Sequence, residues 1–76
     1  MIYAVNLVCY NEENVPNTCG TIFVKSDKDI KSLPVYILKE LLEEEIKNKE
    51  CESIGTIFEI SDEEFYEEYN VKLIQL

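Results

Sequence analysis

The segment GTIFVKSDKDI (residues 20–30) recurs 35 residues later as GTIFEISDEEF (residues 55–65), with six of eleven positions identical. In each copy, β-branched and aromatic residues typical of a strand run into a serine and acidic residues typical of a helix start. The two copies therefore predict two strand-to-helix transitions. Because this composition is common at such transitions, we interpret the repeat as two uses of one local device, with gene duplication as the alternative.

Four runs of apolar residues predict strands. Ile2–Tyr10 is apolar on both alternating sets, which is typical of a central strand, and Asn6 is expected to be a satisfied polar group on a sheet face. The segment 11–20 is rich in turn-forming residues and predicts a long exposed hairpin loop. In the third strand, Ile54, Phe58 and Ile60 are expected on one face. The four predicted strands are Ile2–Tyr10, Thr21–Lys25, Glu52–Ile60 and Val71–Leu76.

Two segments predict helices. Leu33–Lys49 is expected to form one long helix, since its apolar residues gather into a single stripe at about 100° per residue. A capping box of the form Ser61-x-x-Glu64 starts a short helix that ends near Asn70. The expected stripe of the long helix consists of Val35, Leu38, Leu41, Leu42 and Ile46.

The order of these elements, β-β-α-β-α-β, predicts an α+β fold in a single domain spanning residues 1–76. We expect a four-stranded, mainly antiparallel sheet with one long and one short helix on one face. Met1-Ile2-Tyr3 lacks the basic start of a signal peptide, and no apolar run approaches the roughly 18 residues of a membrane span. The sequence therefore predicts a cytoplasmic protein that does not associate with a membrane.

The three cysteines, Cys9, Cys19 and Cys51, are interpreted as buried or half-buried thiols. An odd number of cysteines without a secretion signal argues against a disulfide framework. The spacings of ten and thirty-two residues, in a chain without histidine, also argue against a zinc site. We therefore expect no metal and no cofactor.

The composition argues against several classes of function. All seven basic residues are lysine, and the net charge is −9, so direct binding to nucleic acid is not expected. The chain has no histidine, no arginine and only two glycines. It therefore lacks the usual groups for acyl transfer, phosphoryl transfer and nucleotide chemistry, and we do not expect an enzyme.

The negative charge is confined to one part of the chain. Residues 1–39 carry a net charge of zero, whereas residues 40–70 carry a net charge of −10. These acids are either the solvated faces of two helices or a binding surface that imitates a row of phosphates and occupies a basic groove of a partner protein. For the second interpretation, the candidate contact residues are Glu40, Glu44, Asp62, Glu63, Glu64, Phe65, Tyr66, Glu67, Glu68 and Tyr69.

The segment DEEFYEEYN (residues 62–70), followed by the alternating VKLIQL (residues 71–76), resembles the tail of small acidic phage anti-CRISPR proteins, which inhibit RNA-guided DNA nucleases. These proteins are similar also in being short, acidic, α+β and without enzymatic motifs. The resemblance implies a phage-borne protein in the host cytoplasm that plugs a basic PAM-reading or DNA-binding cleft. Glu63, Glu64, Glu67, Glu68 and their aromatic neighbours would make the contact.

A second hypothesis is a structural or regulatory interaction module that assembles through a sheet edge or a helix face. A homo-oligomer is one form that this assembly could take. The two hypotheses differ in their dependence on salt. Binding by charge mimicry weakens steeply as salt rises, whereas association through apolar surfaces or strand pairing tolerates salt.

Overall fold

The computed structural model describes residues 1–76 and forms one four-stranded sheet with three helices and a 3-10 turn at Ile30–Ser32. The elements are β1 (Ile2–Tyr10), β2 (Pro16–Lys25), α1 (Val35–Leu41), α2 (Glu43–Asn48), β3 (Ser53–Ile60), α3 (Asp62–Glu68) and β4 (Leu73–Gln75). The sheet order is β3-β1-β2-β4, with β1 antiparallel to both of its neighbours and β4 parallel to β2. The predicted α+β class and the central position of the first strand are confirmed, although the parallel pairing of β4 makes the sheet mixed.

The loop between β1 and β2 is much shorter than the predicted segment 11–20. β2 begins at Pro16, so only residues 11–15 connect the strands. The side chain of Asn11 closes this turn, because its Oδ1 accepts hydrogen bonds from the backbone N–H groups of Glu13 (2.9 Å) and Val15 (3.0 Å). The first half of β2 is exposed to solvent. Its polar composition therefore reflects its exposure rather than a loop conformation.

Two β-bulges alter which side chains share a face. Leu7 pairs with Gly20 and Val8 with Thr18, so Cys19 is an extra residue in β2. On the other side of β1, Val5 pairs with Ile57 and Leu7 with Ile54, which leaves one extra residue in β3. Because a bulge reverses the alternation of side chains, the prediction that Ile54 shares a face with Phe58 and Ile60 is wrong. Ile54 and Ile57 belong to the main core, and Ile60 packs on the opposite side.

The bulge in β3 depends on Gly55. A Cβ atom at this position would lie 2.9 Å from Cγ1 of the buried Val8 and 3.5 Å from the backbone oxygen of Asn6. We therefore expect Gly55→Ala to lower the free energy of unfolding by about 1–3 kcal/mol, as overpacking typically does. The measurement is equilibrium unfolding in urea.

Gly20→Ala is the matched control for this substitution. The nearest atom to a Cβ at Gly20 is the side-chain Cδ of Lys49 at 3.7 Å, which is an ordinary contact. This variant should match or slightly exceed the stability of the wild type. Equal stabilities of the two alanine variants would contradict the close packing of β1 against β3.

The sheet carries a hydrophobic cluster on each face. The main core lies between the sheet and the α1–α2 segment and is formed by Tyr3, Val5, Leu7, Ile22, Val24, Ile30, Leu38, Leu42, Ile46, Cys51 and Ile54. The second cluster joins Ile2 and Phe23 to Phe65 of α3. The α1–α2 segment and α3 therefore lie on opposite faces of the sheet. The prediction that both helices lie on one face is wrong. Since β1 is apolar on both sides, each face needs a cover, and α3 provides the second one.

The predicted long helix is divided at Leu42, whose backbone (φ −110°, ψ 16°) departs from helical geometry between α1 and α2. The hydrogen bonds continue across the division, because Leu42 N donates to Leu38 O (2.9 Å) and Ile46 N donates to Leu42 O (3.0 Å). These three residues are buried as predicted. Val35 and Leu41 are 52% and 54% exposed, so the expected apolar stripe is narrower than the sequence suggested.

The three cysteines come together at one end of the sheet, which the sequence interpretation missed. Cys19 and Cys51 form a disulfide, with Cα atoms 6.3 Å apart. Cys9 remains a half-buried free thiol, and the three sulfur atoms lie within 4.8 Å of one another. The expectation of buried or half-buried thiols is confirmed for Cys9. It is wrong for Cys19 and Cys51, which form the disulfide, because sequence spacing does not reveal the register that brings the strands together.

Candidate partner-binding surface

α3 begins as the capping box predicts. The Oγ of Ser61 accepts a hydrogen bond from the backbone N–H of Glu64 at 3.0 Å. Three acidic residues occupy the first turn, where negative charge is favourable to the helix dipole, and no basic residue occupies the last turn. The Ser61 cap therefore determines where α3 begins, and the acids in its first turn stabilise the helix despite its high negative charge.

All five carboxylates of α3 are exposed and lack a basic partner. They belong to Asp62, Glu63, Glu64, Glu67 and Glu68. The two salt bridges of the molecule, Lys47–Glu43 (3.1 Å) and Lys72–Glu45 (2.9 Å), both involve acids of α2. α3 therefore presents an uncompensated negative field to solvent.

The three aromatic residues of this segment have different environments. Phe65 is 3% exposed and packs on Phe23 at a ring distance of 5.3 Å, so it anchors α3 and is not available to a partner. Tyr69 also contacts Phe23 (4.6 Å) but remains 40% exposed. Tyr66 is 63% exposed and meets the edge of Phe65 at 5.2 Å. Only the two tyrosines offer aromatic contact area.

The structure does not bring Glu40 and Glu44 to the same surface as α3. Both are exposed, on α1 and α2 respectively, and these helices cover the opposite face of the sheet. Lys72, which lies between α3 and β4, pairs with α2, because its Nζ donates to Oε1 of Glu45 at 2.9 Å. This hydrogen bond and the charge of Glu45 raise the pKa of Lys72. The acidic stretch of the sequence is thus two separate acidic regions in the fold.

α3 covers only one end of its sheet face, and the rest of that face is open. Phe58, which pairs with Ala4, is 54% exposed there. Farther along, Asn6 Nδ2 donates to Thr56 Oγ1 (2.7 Å) and Thr21 Oγ1 donates to Asn6 Oδ1 (2.9 Å), which satisfies the Asn6 amide as expected. This open surface beside α3 was not predicted from the sequence, because the bulge in β3 decides which residues reach it.

We define the α3 surface as the five carboxylates of α3 together with Phe58, Tyr66 and Tyr69. Comparisons of the chain with protein-family models, with curated proteins and with solved structures find no match. No helix of the chain is long and apolar enough to cross a membrane.

Proposed function

We propose that the protein is a small acidic inhibitor that binds the basic nucleic-acid-binding surface of a host defence nuclease, in the manner of anti-CRISPR proteins. The observation that carries this proposal is the set of five exposed, unpaired carboxylates on α3. In this proposal the protein acts in the cytoplasm of the host cell, binds no nucleic acid itself and performs no catalysis.

The spacing of the carboxylates supports the proposal. Residues four apart on a helix lie on one face and are separated by about 6 Å along its axis. Glu63 and Glu67 form one such pair, and Glu64 and Glu68 form a second. These two rows of negative charge suit a groove that holds a phosphate backbone with lysine and arginine, and they favour fast, electrostatically steered association.

The aromatic residues of the α3 surface supply the second part of the interaction. Aromatic residues, phenylalanine included, are enriched in protein interfaces, and tyrosine is enriched among the residues that contribute most to binding energy. Tyr66, Tyr69 and Phe58 are partly exposed on the face that carries α3. They would give specificity for one protein groove, which charge alone does not provide.

A DNA-cleavage assay with a panel of RNA-guided nucleases tests the proposal. Purified protein should inhibit at least one nuclease when it is added before the target DNA, and much less when the nuclease already holds its DNA. This order dependence follows from competition for one basic groove. Inhibition that is the same in both orders would contradict mimicry, and so would the absence of inhibition across the panel.

A non-enzymatic interaction module that forms homo-oligomers is the second candidate. The observation that favours it is β3, an eight-residue edge strand without lysine or proline, since such edges are prone to pair with another strand. The two candidate functions can be distinguished by size-exclusion chromatography with light scattering, which measures the molar mass of the protein in solution at low and at high salt. A dimer that persists at both salt concentrations would favour the module, and a monomer at both would favour the inhibitor.

A further inference from the structure

The three cysteine side chains converge from three separate segments of the chain. Cys9 lies on β1, Cys19 lies on β2, and Cys51 precedes β3 by two residues. Their sulfur atoms lie within 4.8 Å of one another. We propose that the reduced protein binds one Zn²⁺ ion through the thiolates of these three residues, a site independent of the α3 surface.

The distances suit a thiolate site for zinc. A tetrahedral zinc ion with Zn–S bonds of about 2.3 Å holds its sulfur ligands about 3.8 Å apart. The three sulfur atoms already lie within 4.8 Å of one another. Once the disulfide is reduced, each therefore has to move by only roughly 1–2 Å to reach this separation. Thiolates are also the ligands that prefer zinc over magnesium or calcium.

The backbone holds each ligand in place before metal binds. Cys9 pairs with Asn17 in the β1–β2 ladder, and Cys19 is held in the bulge of the same ladder. The N–H of Cys51 donates to Ile46 O at 3.0 Å, and the next N–H, that of Glu52, donates to Val8 O at 2.9 Å. Because the ligands are anchored by the sheet and by α2, little ordering accompanies metal binding.

The three ligands differ in exposure, which leaves one side of the site open. Cys51 is buried, Cys9 is half-buried and Cys19 is exposed. A zinc ion held by these three sulfurs therefore has its fourth position toward solvent, where water or a ligand from a partner protein completes the tetrahedron. Three protein ligands with one exchangeable position is the arrangement of zinc sites that take an external ligand.

Zinc binding requires the thiol state of the cluster. Reduction of the Cys19–Cys51 disulfide by two small-molecule thiols gives two cysteine thiols and one disulfide of the reductant. Binding of Zn²⁺ then releases the three thiol protons, including the one that Cys9 donates to the backbone oxygen of Glu50 at 3.5 Å. In the reverse reaction, the disulfide of the reductant oxidises Cys19 and Cys51 to their disulfide and is itself reduced to two thiols. This removes two of the three ligands and releases the metal.

Titration of the reduced protein with Co²⁺, followed by displacement with Zn²⁺, tests the site. We expect a thiolate-to-cobalt charge-transfer band that saturates at one equivalent and disappears on addition of zinc. Zinc should also raise the melting temperature of the reduced protein and leave that of the oxidised protein unchanged. Absence of the charge-transfer band in the reduced protein would overturn the proposal.

Cys9→Ser is the decisive variant because Cys9 takes no part in the disulfide. We expect it to weaken zinc binding by at least about 100-fold, since changes to groups that only orient a ligand already cost about 10–100-fold. The oxidised variant should keep the wild-type melting temperature. Zinc binding as tight as in the wild type would overturn the proposal.

Cys19→Ser provides an independent check, since Cys19 is exposed and its replacement leaves the core intact. Its affinity for zinc should fall as far as that of Cys9→Ser. If Cys9→Ser does not fold, this variant decides the matter alone, and wild-type affinity in it would overturn the three-cysteine site.

Discussion

Truncation of Phe65 to alanine is expected to lower the free energy of unfolding by about 3–5 kcal/mol. Phe65 is the buried residue of α3 and packs against Ile2 and Phe23. Its removal leaves a cavity and takes away the anchor that holds α3 on the sheet. Since a small domain has only about 5–15 kcal/mol of stability in total, this loss removes a substantial part of it. The variant should therefore unfold at a much lower urea concentration than the wild type.

Urea unfolding followed by circular dichroism measures this effect. Tyr66→Ala is the matched control, because Tyr66 neighbours Phe65 on the same helix but is 63% exposed. Its effect should stay within about 0.5 kcal/mol, as for most surface substitutions. A loss of less than about 1 kcal/mol in the Phe65 variant would contradict the packing of α3 on the second face of the sheet.

Replacement of Glu63, Glu64, Glu67 and Glu68 by glutamine is expected to weaken inhibition of the target nuclease by at least about 100-fold, since truncating buried charge pairs at interfaces costs about 2–5 kcal/mol each. The substitution keeps the shape of each side chain and removes only its charge. It also removes the repulsion between the acids at i and i+4. The free energy of unfolding of the variant should therefore be close to that of the wild type. Only its affinity for the nuclease should fall.

A second quadruple variant controls for the change in net charge. Glu12, Glu13, Glu40 and Glu44 are exposed and take part in neither salt bridge. None of them lies on α3. Their replacement by glutamine changes the net charge by the same amount and should weaken inhibition far less. Equal losses in the two variants would mean that overall charge, and not the α3 surface, determines binding.

The sequence was sufficient to predict the α+β class, the central strand β1 and the capped start of α3. Each of these depends on local pattern, such as the two-sided apolar run of β1 or the hydrogen bond from Glu64 N to Ser61 Oγ. The side of the sheet on which α3 packs was not predicted. The sequence did contain evidence for this packing, because Ile2 and Ala4 form a second apolar face of β1, which another element has to bury.

The two bulges explain most of the remaining differences. A single extra residue in β2 at Cys19, and another in β3, change which side chains share a face. Gly55, a glycine within a predicted strand, is a recognised signal for the bulge in β3. The bulge in β2 falls in the segment 11–20, which was predicted to be a loop. The meeting of the three cysteines depends on this register, and the sequence spacing of ten and thirty-two residues gave no indication of it.

The candidate surface was predicted in part. Its α3 carboxylates and tyrosines were identified from the sequence and are exposed. Glu40 and Glu44 were grouped with them because the chain is continuously acidic, yet the sheet separates the two regions. Phe65 was grouped with them as an aromatic among acids, whereas its position one turn after Ser61 directs it to the sheet.

The most direct test of binding through the α3 surface is the salt dependence of the affinity between this protein and a nuclease that it is proposed to inhibit. Binding through the α3 surface predicts that the dissociation constant of the wild type rises at least about tenfold between about 50 and 200 mM salt, because salt screens the charge contacts across the interface. The α3 glutamine variant should bind weakly at both concentrations. Affinities that do not change with salt, or equal affinities of the variant and the wild type, would contradict it.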